Sequence, residues 1–162
     1  MRFLLDVDSV KVADQTAINE YGIPSAVLME NAARSVADFV KHDFPTVKRI
    51  KVFCGAGNNG GDGFAIARHL FSDYNVEIYF LGNAQRKSAE TQLNFDIVQK
   101  MKIPLFKLDS IDAINSIDTN SDVIIDALIG IGGSENLVGD VSALLRRLNK
   151  AKAVKIAVDI PT

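Results

Sequence analysis

Three short stretches of the 162-residue chain bring together residue types from which a chemical site can be built. The first is Gly55-Ala56-Gly57-Asn58-Asn59-Gly60-Gly61-Asp62-Gly63, with five glycines in nine residues. Glycines at that density let backbone N–H groups approach a phosphate, and the side chains of Asn58, Asn59 and Asp62 add oxygen atoms and hydrogen bonds. The second is Asp126, at the end of an apolar run, followed by Gly130-Ile131-Gly132-Gly133-Ser134-Glu135-Asn136. The third is Asp159-Ile160-Pro161-Thr162, where Pro161 fixes the turn behind a carboxylate. Taken singly, Asp126 and Asp159 read equally well as solvated strand-end residues. A shared location with the glycine-rich stretch is what would make them functional.

The glycine-rich stretch has to be separated from two better-known loops. Residues 55 to 60 fit G-x-G-x-x-G between a strand and a helix. A dinucleotide fold of the dehydrogenase kind also needs an acidic residue about 20 positions on, at the end of the second strand, to hold a ribose. That end is Phe80-Leu81-Gly82, with Glu77 inside the strand, so the fingerprint fails there. No Lys-Ser or Lys-Thr follows the glycines, so a P-loop is excluded as well. A plain strand-to-helix turn with Asp62 as its N-cap accounts for Gly60 and Asp62, but not for two adjacent asparagines and five glycines. Elsewhere the polar residues read blandly. Cys54 is a small buried hydrophobe, His42 and His69 are surface residues of helices, and Glu135 is a loop charge.

The elements that must position these residues follow from periodicity. Two helices come first, one from a Ser9 N-cap to about Tyr21, where Gly22 stops it, and one from Pro24 to about His42. In the second, Val27, Leu28, Ala32, Val36 and Phe39 form the expected buried stripe. Strands are expected at 50–54, 76–81, 104–108, 122–126 and 154–158. Helices are expected at about 63–71, 88–101, from Ser110, and up to about Asn149, with a long loop from Leu128 to Gly139. Strands separated by helices give βαβ units and an α/β, doubly wound, mostly parallel sheet. Ligands of such sheets sit outside the carboxyl ends of the strands, near the point where strand order reverses. All three stretches fall on that rim.

Bulk properties narrow the classes. Apolar residues make up 48% of the chain, charged residues 23%, and the formal net charge is −2, values typical of a globular domain. Without a run of Lys and Arg, neither a nucleic acid nor an anionic membrane is an expected partner. One cysteine excludes an internal disulfide framework. The opening Met1-Arg2-Phe3-Leu4-Leu5-Asp6 is too short and too soon acidic for a signal peptide, and the apolar runs are strand-sized. A cytoplasmic location is expected, or an organelle matrix after removal of a targeting segment.

Gly57-Asn58-Asn59-Gly60-Gly61-Asp62-Gly63, the Asp126 strand with its glycine-rich loop, and Val158-Asp159-Ile160-Pro161-Thr162 together resemble the signature stretches of the NAD(P)H-hydrate epimerases, the YjeF N-terminal domain family. Leu28-Met29-Glu30-Asn31-Ala32-Ala33 is similar to the family's opening helices. The resemblance covers essentially the whole chain. It implies a Rossmann-like three-layer sandwich preceded by two N-terminal helices. It implies that Asn58, Asn59, Gly60, Gly61 and Asp62 line the ligand site, that Gly130 to Asn136 (Gly130, Ile131, Gly132, Gly133, Ser134, Glu135, Asn136) close over it, and that Asp159 contacts the ligand. It implies a potassium ion held by Asn59, Asp126 and Thr162, where the family commonly has Ser at the last position; a threonine keeps the hydroxyl. Family members continue past this motif, so residues 1–162 are expected to be a single domain truncated at its C-terminal end.

The implied reaction interconverts the R and S forms of NADHX and NADPHX, in which water has added at C6 of the reduced nicotinamide ring. A carboxyl group beside that carbon, with Asp159 as the candidate, would protonate the leaving oxygen and later deprotonate the returning one. The implied partners are a second copy of the chain and an ADP- or ATP-dependent NAD(P)H-hydrate dehydratase, fused or separate. The alternative is a non-catalytic nucleotide-binding or dimerising scaffold module, since the same fold serves as a scaffold in mRNA-decapping factors.

Overall fold

A computed structural model describes residues 6–82, 87–131 and 140–162. In chain order its elements are α1 (Val7–Asn19), α2 (Ser25–Asp43), β1 (Arg49–Cys54), α3 (Asn58–Leu70), β2 (Asn75–Phe80), α4 (Ala89–Lys100), β3 (Leu105–Lys107), α5 (Ile111–Asn115), β4 (Val123–Ala127), α6 (Asp140–Lys150) and β5 (Val154–Ala157). The strands form one sheet in the order β3-β2-β1-β4-β5, and every pair is parallel. This is the expected α/β architecture, with two helices ahead of the sheet.

Helices cover both faces of the central strands, which is why residues 52–54 of β1 and 123–125 of β4 are continuous apolar runs rather than alternating. Ile50, Val52 and Cys54 pack with Ala33, Ala37, Phe64 and Ala67 on the face covered by α2, α3 and α4. Phe53, Tyr79 and Ile124 pack with Ile114, Leu144 and Leu148 on the opposite face, under α5 and α6. Cys54 is fully buried, and burial pushes its thiol up, so it behaves as the expected small hydrophobe. Among the described residues, no helix is long and apolar enough to cross a membrane.

Strand order reverses at β1, whose neighbours are β2 on one side and β4 on the other. The last carbonyl of β1, that of Cys54, accepts from Leu81 N–H (2.9 Å), while Gly55 N–H donates across to Ala127 (3.0 Å). The chain leaving β1 is therefore held from both sides where a ligand crevice is expected.

Several boundaries differ from the sequence expectation. The α1 cap is Asp6 rather than Ser9: the Asp6 carboxylate accepts from Ser9 N–H at 2.7 Å and starts the helix three residues earlier. Helix α3 starts at Asn58 rather than near Gly63, with Gly57 in an extended conformation as its N-cap, so Asp62 is not the cap. Its glycines serve close packing. A Cβ on Gly60 would stand 1.8 Å from the carbonyl oxygen of Gly55, which only a residue without a side chain allows.

The buried stripe of α2 is also displaced. Met29, Ala33, Ala37 and Val40 are buried, whereas Val27 and Phe39 are exposed. Small residues at 33 and 37 let α3 approach closely, and that contact, rather than the bulkier residues, decides the inward face. Glu30 on α2 binds both Arg68 and His69 of α3, the latter at 2.8 Å. His69 is thus three-quarters buried in an inter-helix clamp, not a surface residue.

Candidate functional site

Above the carboxyl ends of β1, β4 and β5 lies a cavity of about 1090 Å³. Its floor is the start of α3, with Gly57, Asn58, Asn59 and Asp62 facing it, and Gly130, Ile131 and Asp159 form one side. The other side is α2, whose Leu28, Ala32 and Val36 line the cavity, Val36 also packing against the core. Helix α1 closes it with Val10, Lys11, Asp14 and Ile18.

The first turn of an α-helix leaves its leading N–H groups without intrahelical partners. Here the first to bond back is Gly61, to the carbonyl of Gly57 at 3.2 Å. The N–H groups of Asn58, Asn59 and Gly60 head the helix, at the positive end of its dipole. That is an anion site made from backbone.

Asn59 is 93% buried, and neither its amide oxygen nor its amide nitrogen has a partner among the described residues. An unsatisfied buried polar atom costs about 1–3 kcal/mol, so a side chain placed this way calls for something to bind. Gly130 is pressed against it. A Cβ at Gly130 would lie 3.2 Å from Asn59 Cβ and 2.5 Å from Asp159 Oδ2. The glycine is therefore the spacer that lets the loop after β4 sit between those two residues.

Asp159 adopts a left-handed backbone conformation, φ +70°, uncommon for a residue with a side chain and typical of strained functional positions. Its Oδ2 accepts from Ile131 N–H at 2.7 Å. Asp62 shares the cavity. Burial, then the charges of Asp159 and Asp14, push its carboxyl up to about 7, so it can hold a proton at neutral pH.

Asp126 and Thr162 are joined to each other. The Thr162 hydroxyl donates to Asp126 Oδ1 at 2.9 Å, and Thr162 N–H donates to Oδ2 at 3.1 Å. Leu128 N–H reaches Oδ1 at 3.2 Å, and Ile129 N–H reaches the Thr162 hydroxyl at 3.2 Å. The pair bonds to the Ile129 backbone and is not part of the cavity wall, and Gly60 and Gly61 are buried within α3. Gly132, Gly133, Ser134, Glu135 and Asn136 lie outside the described residues. Among the described residues no three His, Cys, Asp or Glu side chains converge, so a cation here would depend on amide and hydroxyl oxygens as well. The donor set of Asn59, Asp126 and Thr162 is all oxygen, and the orphaned Asn59 amide is the feature that fits a hard monovalent ion.

Four polar residues of the neighbourhood were not marked by the sequence. Lys11 and Asp14 enter from α1, and Ser25 and Glu90 enter from the first turns of α2 and α4. None lies in a glycine-rich or strand-end context, and only the packing of α1, α2 and α4 around the rim reveals them.

Comparison with known proteins identifies the family. The family model described as YjeF-related protein N-terminus matches residues 25–162. The chain is 37% identical over 154 residues to NAD(P)H-hydrate epimerase of Limosilactobacillus fermentum, covering 94% of this chain and 71% of that protein. It is 38% identical over 161 residues to NAD(P)H-hydrate epimerase of Limosilactobacillus reuteri, covering 98% and 73%. It is 34% identical to the bifunctional NAD(P)H-hydrate repair enzyme Nnr of Moorella thermoacetica, covering 99% of this chain and 32% of that protein. The crystal structure of a yeast protein, ynu0, has the same fold, with a TM-score of 0.84 at 23% identity over 100% of this chain and 71% of that one. With the match running from Ser25 to Thr162, the chain belongs to the YjeF-related protein N-terminus family.

Proposed function

We propose that the protein is an NAD(P)H-hydrate epimerase, an isomerase that interconverts the R and S forms of NADHX and NADPHX. Two relatives of that name, at 37% and 38% identity over more than nine-tenths of the chain, support it. The single structural observation that carries it is a cavity with backbone N–H groups at its floor and two carboxyl groups, Asp62 and Asp159, at its side. A scaffold has no need to keep an anion site and a proton-holding carboxyl together.

The substrate's diphosphate sits at the α3 N-terminus, where the helix dipole and the N–H groups of Asn58, Asn59 and Gly60 position it. The hydrated ring then extends toward Asp159. A carboxylic acid protonates the C6 hydroxyl as the ring-nitrogen lone pair forms a C=N bond, and water leaves. A water returns to C6 from the opposite face, gives its proton to the carboxylate, and the ring nitrogen recovers its pair. Proton and water counts are unchanged over the cycle. Asp159 is the proposed acid and base, and Asp62, pushed up to about 7 by burial and then by the charges of Asp159 and Asp14, lines the same cavity. Asn59, Asp126 and Thr162 are the proposed potassium ligands, and an ion held by them would supply fixed positive charge to the site.

A homodimer, a dehydratase that acts on the same hydrated nucleotides, and a cytoplasmic site of action complete the proposal. Tyr21, Val27 and Phe39 stand exposed on the first two helices and the turn between them, which suits a pairing face. Light scattering at micromolar concentration reads twice the chain mass if it holds. The activity itself is tested by incubating pure R-NADHX with the protein in potassium buffer and following the S form by chromatography. A rate above spontaneous epimerisation is expected, and a rate equal to it would leave the scaffold reading in its place.

A further inference from the structure

The order of strands along the rim carries one inference, which rests on the proposed reaction. Asp159 follows β5, Gly130 follows β4, the α3 N-terminus follows β1, and Leu81 follows β2, and these strands are neighbours in that order. At about 4.8 Å per strand, the rim from β5 to β2 spans roughly 14 Å. With the diphosphate on α3 and the hydrated ring toward Asp159, the second nucleoside points the other way, toward β2 and the start of α4. The cavity continues there, lined by Leu81, Ser25 and Glu90.

The side chain in position to meet that nucleoside is Glu90. It stands in the first turn of α4, next to Thr91, whose hydroxyl donates to Gly57 O at 2.9 Å. Glu90 is therefore adjacent in sequence to the residue whose contact fixes the phosphate-binding turn. The Ser25 hydroxyl donates to Glu90 Oε1, and it holds the Glu90 carboxyl below the usual range. A carboxylate so placed accepts hydrogen bonds from ribose hydroxyls, the task that an acidic residue at the end of the second strand performs in dehydrogenase-type folds and that Phe80-Leu81-Gly82 cannot perform.

We infer that Glu90 binds the hydroxyls of the ribose beyond the diphosphate and selects NADHX over NADPHX by repelling the 2′-phosphate. The surrounding charges agree. Among the described residues that line the cavity, Asp14, Asp62, Glu90 and Asp159 face a single cation, Lys11, on α1. Lys87 lies 4.0 Å over the ring of Phe95 and is not in the cavity wall. A second phosphate at the Glu90 end meets the Glu90 carboxylate.

The test compares kcat/KM for NADHX and NADPHX in wild type, Glu90→Gln and Glu90→Arg, with binding of NADH and NADPH measured calorimetrically in the same proteins. Gln keeps the acceptor for Ser25, so the fold is preserved. Wild type is expected to favour the substrate without the 2′-phosphate by at least ~10-fold. Glu90→Gln lowers that ratio at least ~5-fold, mainly through KM for NADPHX, and Glu90→Arg reverses it. Calorimetry shows the same ordering. A ratio unchanged in both variants, by turnover and by binding, overturns the inference while leaving the epimerase standing. A binding switch without any turnover in wild type overturns the epimerase and keeps the subsite.

Discussion

The Thr91 hydroxyl and the Gly57 carbonyl oxygen, 2.9 Å apart, tie the first turn of α4 to the residue that caps α3. Thr91 is fully buried and 34 residues distant in sequence, and its oxygen lies 2.8 Å from Ser88 Oγ as well. The phosphate-binding turn is thus set by a side chain from another helix. Thr91→Val keeps the shape and removes the donor, at a cost of about 1–3 kcal/mol in stability. It is expected to raise KM for NADHX at least ~10-fold with a smaller change in kcat, and Thr91→Ser restores KM. A purely structural contact would lower stability and leave KM where it was.

Asp62 predicts a pH dependence of stability. Its carboxyl is raised from 3.8 to about 7 in the folded protein, by burial first and by the charges of Asp159 and Asp14 after that. Between those values the folded state holds a proton that the unfolded state has released, so stability falls as pH rises through that window. The contribution is fully present below pH 3.8 and is gone above about 7. Asp62→Asn removes this term. Thermal unfolding at pH 5 and pH 8 is therefore expected to show a larger drop in Tm for wild type than for the variant. Equal drops would mean that Asp62 titrates normally.

Potassium is expected to stabilise the protein through Asn59, Asp126 and Thr162. An ion that binds only the folded state adds about 2.7 kcal/mol at one hundred times its Kd, a rise of several degrees in Tm. Tetramethylammonium, too large for the site, gives no rise. Asn59→Leu replaces an amide that has no partner among the described residues, so without potassium this variant is expected to unfold no earlier than wild type. It also loses the response to potassium. A potassium-dependent rise of the same size in Asn59→Leu would remove Asn59 from the ligand set.

How much of this was legible in the sequence depended on whether the cause was local. Alternating apolar runs and helical periodicity gave the sheet and its helices, and Ser88 and Ser110 mark the starts of α4 and α5 as their side chains suggest. The rim residues Asn58, Asn59, Asp62, Gly130, Ile131 and Asp159 do come together, because strand ends of a parallel sheet must. The start of α3 was hidden because glycines there look like a loop. Their real cause, the 1.8 Å approach of Gly60 to Gly55, is a tertiary contact. The inward face of α2 was misassigned for the same reason: Ala33 and Ala37 are buried by α3, not by their own hydrophobicity. Lys11, Asp14 and Glu90 carry no local signal at all, and only the meeting of α1 and α4 above the rim brings them to the site.

The central claim is that a carboxylate at the end of β5 moves the proton in epimerisation of hydrated NADH. Asn at position 159 keeps the size and can still accept from Ile131 N–H, now 2.7 Å away, but cannot give and take a proton. The decisive measurement is the rate of S-NADHX formation from pure R-NADHX in potassium buffer, for wild type and Asp159→Asn, with the spontaneous rate subtracted. Wild type is expected to exceed the spontaneous rate, and the variant to fall at least ~10²-fold below wild type with binding largely retained. Equal rates in the two proteins would remove Asp159 from the chemistry, and a wild-type rate no higher than the spontaneous one would contradict the enzyme itself.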